Sequence, residues 1–248
     1  MSNGFNFNII NDRPNVSENN AVAQTFIANV FMWMAAALAI TGIVAYQFGT
    51  NADYIQLLVK VNENGRAGMT GLGYVVMFAP FAFVLLISAG FNRFSSTVLL
   101  ALYLVYSALM GMSLSFIFLV YTSASIYKTF AVAAGMFGVM AVAGYTTKTD
   151  LSKMGSLLMM AFIGLIIASI VNIFMRSGTF DYIISFIGVV IFTGLTAYDV
   201  QKLKNIGSGN MYGQEAQSKL SILGALTLYL DFINLFLFLL RFFGNRRD

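Results

Sequence analysis

Two aspartates stand where the sequence otherwise reads as hydrocarbon: Asp199 in "GLTAYDVQKLK" and Asp231 in "LYLDFINLFLFLLRFFG". A charge at the centre of a membrane helix costs about 2.5 to 3.5 kcal/mol even on a lenient insertion scale, so each acid must find a partner, water or a proton. Two carboxylates about 4 Å apart repel by about 4 kcal/mol at an effective dielectric near 20. Sharing one proton relieves that repulsion. Such a pair is a titratable switch in a chain that contains no histidine.

Helical spacing indicates where Asp231 points. At about 100° per residue, Gly224, Thr227, Asp231, Asn234 and Phe238 form one stripe of mostly small and polar groups, which predicts that this side faces protein. Arg241 is ten residues from Asp231, about 15 Å along a helix axis, and is no intrahelical partner for it. Two plainer readings stay open. Asp199 pairs at the interface with Lys202, three residues on, or Asp231 is protonated glue, bonded together with Asn234 to a neighbouring helix. On straight helices Asp199 lies shallower than Asp231, so a meeting requires tilt or an extended last helix. Of the ten acidic residues, the others lie in tails, loops or helix ends, where solvation makes a charge inexpensive. Asn172 in "IVNIF" reads as a helix clamp.

The chain that must position these groups has 248 residues, 58% hydrophobic and 10% charged, against about 25% charged in soluble domains. It is an integral membrane protein. The absence of cysteine and histidine removes disulfides, thiolate catalysis and the usual metal ligands. No enzyme activity and no resident cofactor are expected. The net charge of +4 comes from scattered basic residues, which leaves no footprint for nucleic acid.

Residues 1–23 are polar and lack a cleavable signal pattern, so they read as a mobile tail, followed by one transmembrane domain over 24–248. Seven apolar segments reach the roughly 20 residues a spanning helix needs: 25–48, 69–90, 95–121, 129–147, 156–175, 181–203 and 220–243. The connections at 49–68 and 204–219 read as loops. With the N-terminus inside, the basic residues divide evenly between the two sides. A re-entrant last segment would instead place ten inside and four outside; the length of the segment favours a span. Ala131 with Gly135 and Ala134 with Gly138 predict close helix packing, and Pro80 predicts a kink in the second span.

"AYDVQKLK", "LYLDFINLF" followed by "LLRFFG", and "TKTDLS" together resemble the Bax-inhibitor, or transmembrane Bax inhibitor motif, family in its bacterial branch. The resemblance covers about residues 25–244. It implies an all-α integral membrane protein of seven transmembrane helices with the C-terminal helix central, and a pH-sensitive calcium leak. It also implies that Asp199 and Asp231 form a proton-sharing pair. A basic latch after the second helix would be Arg93 in "GFNRFSS". The second segment has no glutamate, where some bacterial relatives carry one. Asn234, Arg241 and Tyr198 are secondary candidates for the ion pathway.

Three function classes follow. The first is a proton-gated calcium or low-selectivity cation pathway, with Asp199 and Asp231 as transient oxygen ligands for the transported ion; a proton/calcium exchanger is its variant. The second is an intramembrane aspartyl protease, for which the "YD" at Tyr198 and Asp199 is half a signature and the Gly-x-Gly-Asp half is missing. The third is a non-transporting membrane regulator that binds a membrane protease or a stress-response partner, with the polar tail as a handle. The setting expected is the lipid bilayer of a bacterial inner membrane, with a cytoplasmic N-terminus.

Overall fold

The computed structural model describes residues 16–61, 67–208 and 213–247. In chain order these form α1 (Val16–Thr50), α2 (Ala52–Leu58), β1 (Val59–Val61), β2 (Ala67–Met69), α3 (Gly71–Gly90), α4 (Ser96–Leu114), α5 (Ile117–Val120), α6 (Ser123–Thr146), α7 (Ser152–Met175), α8 (Gly178–Ser208) and α9 (Gln214–Phe243). Seven segments, with α4 and α5 counted as one, are long and apolar enough to cross a membrane. Phe81, Leu85, Ile173 and Phe174 on α3 and α7 are each about 70% exposed or more, a surface that only lipid can cover at acceptable cost.

Five of the seven spans outrun their apolar runs, and side-chain caps mark where some helices begin. Ser95 and Thr122 accept the N–H groups of Val98 and Ser125 at the starts of α4 and α6. Helix α1 begins at Val16, so residues 16–23 of the expected tail are helical, while 1–15 lie outside the described residues. The expected loop at 49–68 holds α2 and an antiparallel hairpin, with Val59 opposite Met69 and Val61 opposite Ala67. Thr70 ties this hairpin to α3: its hydroxyl donates to the Leu57 carbonyl at 2.6 Å and accepts from the Gly73 N–H at 3.0 Å.

Helix α9 is the hub. Its most apolar window is 67% buried, against 6% for α7, and a helix that is apolar all round belongs inside the bundle. It also runs from one end of the bundle to the other. At its start, Glu215 accepts the Ser96 N–H at 2.7 Å and the Ser96 hydroxyl at 2.9 Å, where α4 begins. Past its end, the Thr122 N–H donates to the Asn245 carbonyl at 3.1 Å and the Arg247 N–H to the Val120 carbonyl at 2.8 Å, where α5 meets α6. The two anchor points are separated by the full α4–α5 span, which overturns the re-entrant alternative.

Helix α6 corrects another expectation. Gly135 and Gly138 face open space, and Ala131 and Ala134 are exposed. The buried face of α6 runs instead through Ile126, Ala133, Phe137, Ala141 and Gly144. The expected small pairs therefore point away from the helix contact, which a different face, mixing Ile126 and Phe137 with Ala133, Ala141 and Gly144, makes instead.

Candidate functional site

Helices α8 and α9 pack as an antiparallel pair whose register can be followed contact by contact. A Cβ on Gly224 would come within 2.6 Å of Leu203. Farther along, Phe192 stacks on Phe238 with centroids 5.8 Å apart, and Tyr182 on Phe242 at 4.3 Å. Asp199 and Asp231 fall between these contacts, and their carboxyls meet as hydrogen-bonding partners. They are 7% and 5% exposed.

The depth mismatch disappears for a structural reason. Helix α8 continues to Ser208 and α9 starts at Gln214, both beyond the expected limits. Continuing the Leu203–Gly224 register sets Ser208 opposite residues near 219, so the first turns of α9 overhang the end of α8. Glu215 uses that overhang to reach the start of α4.

Two carboxyls in contact need a proton between them, since two carboxylates have only acceptors. The Oδ2 atom of Asp231 is buried and receives no hydrogen bond from an N–H or O–H group among the described residues. The pairing of Asp199 with Lys202 is not seen, and of the glue reading the bond from Asp231 to a neighbouring helix is present while the part given to Asn234 is not. The Lys202 ammonium sits 5.9 Å from the Tyr198 ring centroid and makes no ion pair with Asp199. The Asn234 amide donates to the Leu230 carbonyl of its own helix at 2.8 Å, not to a neighbour.

The predicted stripe on α9 is interior only in part. Gly224 and Asp231 are buried, but Thr227 is exposed and Asn234 and Phe238 are half-buried. The large residues on the other sides of α9, Leu228, Tyr229, Leu235 and Leu239, are the more deeply buried. A hub helix has neighbours nearly all round, so its polar stripe does not mark its inner face.

The remaining candidates lie apart from the pair. Arg93 is exposed in the turn after α3 and forms no ion pair among the described residues. Arg241 pairs with Asp181 at 3.4 Å, and Asn172 donates to the same carboxylate at 3.4 Å while accepting the Ser177 N–H at 3.2 Å. This cluster joins the end of α7 and the starts of α8 and the tail at the far end of the bundle. Tyr198 packs on Gly155 of α7, where a Cβ would come within 2.4 Å of its ring.

Sequence reasoning missed the residues that hold Asp199 in place. Gln201, 8% exposed, accepts the Leu151 N–H at 2.8 Å and donates to the Thr149 carbonyl at 2.8 Å. The Lys204 ammonium donates to the Tyr145 carbonyl at 2.8 Å, in the last turn of α6, where a cation suits the helix dipole. Gly144 lets α6 come so near α8 that an added Cβ would lie 2.2 Å from the Ala197 carbonyl. "AYDVQKLK" and "TKTDLS" are thus two sides of one joint around Asp199. Within it, hydrogen bonds from the Ser152 side chain and backbone hold the exposed Asp150 carboxyl below the usual carboxylate range.

A second polar cluster lies on α9 toward α1 and α4. The Tyr229 and Thr41 hydroxyls bond to each other at 2.7 Å, Thr41 donates to the Ser107 carbonyl at 2.8 Å, and Tyr103 donates to the Ala225 carbonyl at 3.2 Å. Among the described residues no cluster of three His, Cys, Asp or Glu residues could hold a metal ion. The site therefore offers a cation the oxygens of one acid pair, not a closed cage of six to eight.

Comparison with known proteins agrees with this architecture. The family model "Inhibitor of apoptosis-promoting Bax1" matches residues 23–248. The inner membrane protein YbhL of Escherichia coli is 48% identical over 225 residues, covering 90% of this chain and 93% of that protein. An uncharacterized protein of Deinococcus radiodurans is 43% identical over 225 residues, 91% and 92% of the two chains. An uncharacterized membrane protein of Streptococcus pyogenes is 32% identical over 236 residues, 95% and 99% of the two chains. Seven apolar spans with α9 as their buried hub, the acid pair between α8 and α9, and these matches together make the chain a member of the Bax-inhibitor family of integral membrane proteins.

Proposed function

We propose that the protein is a pH-sensitive pathway for calcium or other cations across a bacterial inner membrane, governed by one proton shared between Asp199 and Asp231. The observation that carries this reading is the contact of two buried carboxyls on the hub helix and its neighbour. A single proton makes the pair a closed hydrogen-bonded link. Its loss leaves two charges whose repulsion, about 4 kcal/mol at 4 Å and an effective dielectric near 20, either drives α8 from α9 or draws in a cation. Carboxylate oxygens suit a hard cation such as calcium, which is the cargo here and not a resident cofactor. Arg93 is the proposed latch in a state with α3 closer to the pair. A cytoplasmic N-terminus is part of this proposal, and the name of the E. coli relative, an inner membrane protein, supports the inner membrane as its setting.

The test is reconstitution in liposomes loaded with a calcium dye. Wild type should pass calcium at a rate that changes with pH, and Asp231→Asn should abolish that dependence. If the variant keeps both flux and pH profile, the pair is not the gate. Calcium moved uphill by an imposed pH gradient would show exchange in place of leak.

A further inference from the structure

At the end of the bundle where the tail returns, a cavity of about 330 Å³ opens between the first turns of α6 and the end of α9. Its lining is polar at Thr122, Ser125, Lys128 and Asn245 and apolar at Val132 and Phe243. We propose that this cavity binds the phosphate headgroup of an anionic phospholipid, with the start of an acyl chain against Val132 and Phe243. The site is separate from the acid pair and does not depend on the cation pathway.

Four features point to that ligand. Lys128 is exposed and has no carboxylate partner among the described residues. Thr129, only 5% exposed, lines the same cavity, and its hydroxyl has no hydrogen-bond partner among the described residues. That hydroxyl is not among the sealed, unpartnered atoms of the bundle, so it is open to a ligand or water in the cavity. The first N–H groups of α6 add partial positive charge at this point. The returning tail is held here by the Asn245 N–H on the Ser125 hydroxyl at 3.0 Å and the Arg247 guanidinium on the Phe118 carbonyl at 3.0 Å. It brings Arg246 to the same end, also without an ion pair among the described residues. Val132 and Phe243, 48% and 61% exposed beside the cavity, separate a lipid from a free phosphate, which has no use for an apolar lining.

Native mass spectrometry of the full chain released from detergent measures the binding, with phosphatidylglycerol, phosphatidylcholine and inorganic phosphate as probes. Wild type should bind phosphatidylglycerol more tightly than phosphatidylcholine, and Lys128→Gln should cut that preference by about fivefold, the usual weight of one basic residue near a lipid surface. Thr129→Val should weaken phosphatidylglycerol binding, whereas Lys153→Gln at the opposite end should leave it unchanged. Lys128 is exposed, so its variant is expected to fold; thermal unfolding in phosphatidylcholine verifies this for both variants. Unchanged preference in folded Lys128→Gln and Thr129→Val protein would overturn the site. Displacement of phosphatidylglycerol by millimolar inorganic phosphate would overturn the lipid assignment and leave a free-anion site.

Discussion

Replacing Gln201 by leucine tests how the joint around Asp199 is held. The side chain fits the space but removes an acceptor 2.8 Å from the Leu151 N–H and a donor 2.8 Å from the Thr149 carbonyl. A buried polar group left unpaired costs about 1 to 3 kcal/mol. Leu151 is half-buried and Thr149 exposed, so water recovers part of the loss and about 2 kcal/mol in total is expected. If that energy resides in the α6–α7 turn, its opening equilibrium rises about 30-fold, since about 1.4 kcal/mol is a factor of ten. Hydrogen exchange in detergent should show that increase at Leu151, with little change in amides on α3. Gln201→Glu keeps the acceptor and loses the donor, so it should retain more protection at Leu151 than the leucine variant. Unchanged exchange at Leu151 in Gln201→Leu would refute the claim that this side chain ties the turn to α8.

Further substitutions probe other contacts. Gly144→Val must displace α6 from the Ala197 carbonyl, now 2.2 Å from the Cβ position; the overpacking should cost about 1 to 3 kcal/mol, read as a lower unfolding temperature. Arg241→Gln breaks an ion pair whose side chains are 41% and 29% exposed, so its loss should cost under about 1 kcal/mol and vanish in molar salt, checked by thermal unfolding with and without salt. Asp150 is held below the usual carboxylate range by Ser152, so its contribution is present above its unfolded pKa and is lost as pH falls through its folded value. Protection of the Ser152 amide, measured relative to its intrinsic exchange rate at each pH, should therefore fall at acid pH in wild type, and Asp150→Ala should show the reduced protection at every pH.

The sequence made the acid pair legible because a carboxylate in hydrocarbon is expensive and demands an account. Spans were legible for the same reason, since about 20 apolar residues have few other uses. Helix ends were not, because Thr122 starts α6 at Ser123, in polar sequence ahead of the apolar run expected from residue 129. The roles of Gln201 and Lys204 were hidden: one is uncharged, the other looks like a topology signal, and both act through backbone groups some fifty residues or more away. Gly144 carried no mark that separated it from Gly135 and Gly138, which face open space. Asn234 shows the limit of spacing arguments, since sharing a stripe with Asp231 did not prevent it from bonding to its own helix.

The central claim is that Asp199 and Asp231 act as one proton-binding unit, and a double-mutant cycle on flux tests it most directly. Calcium flux into liposomes would be measured across pH for wild type, Asp199→Asn, Asp231→Asn and the double variant, with reconstituted amounts matched. A shared proton predicts that each single substitution removes the pH dependence and that the second adds nothing, because groups acting as a unit are strongly non-additive. Independent, additive effects, or a pH profile that survives in the double variant, would contradict the account.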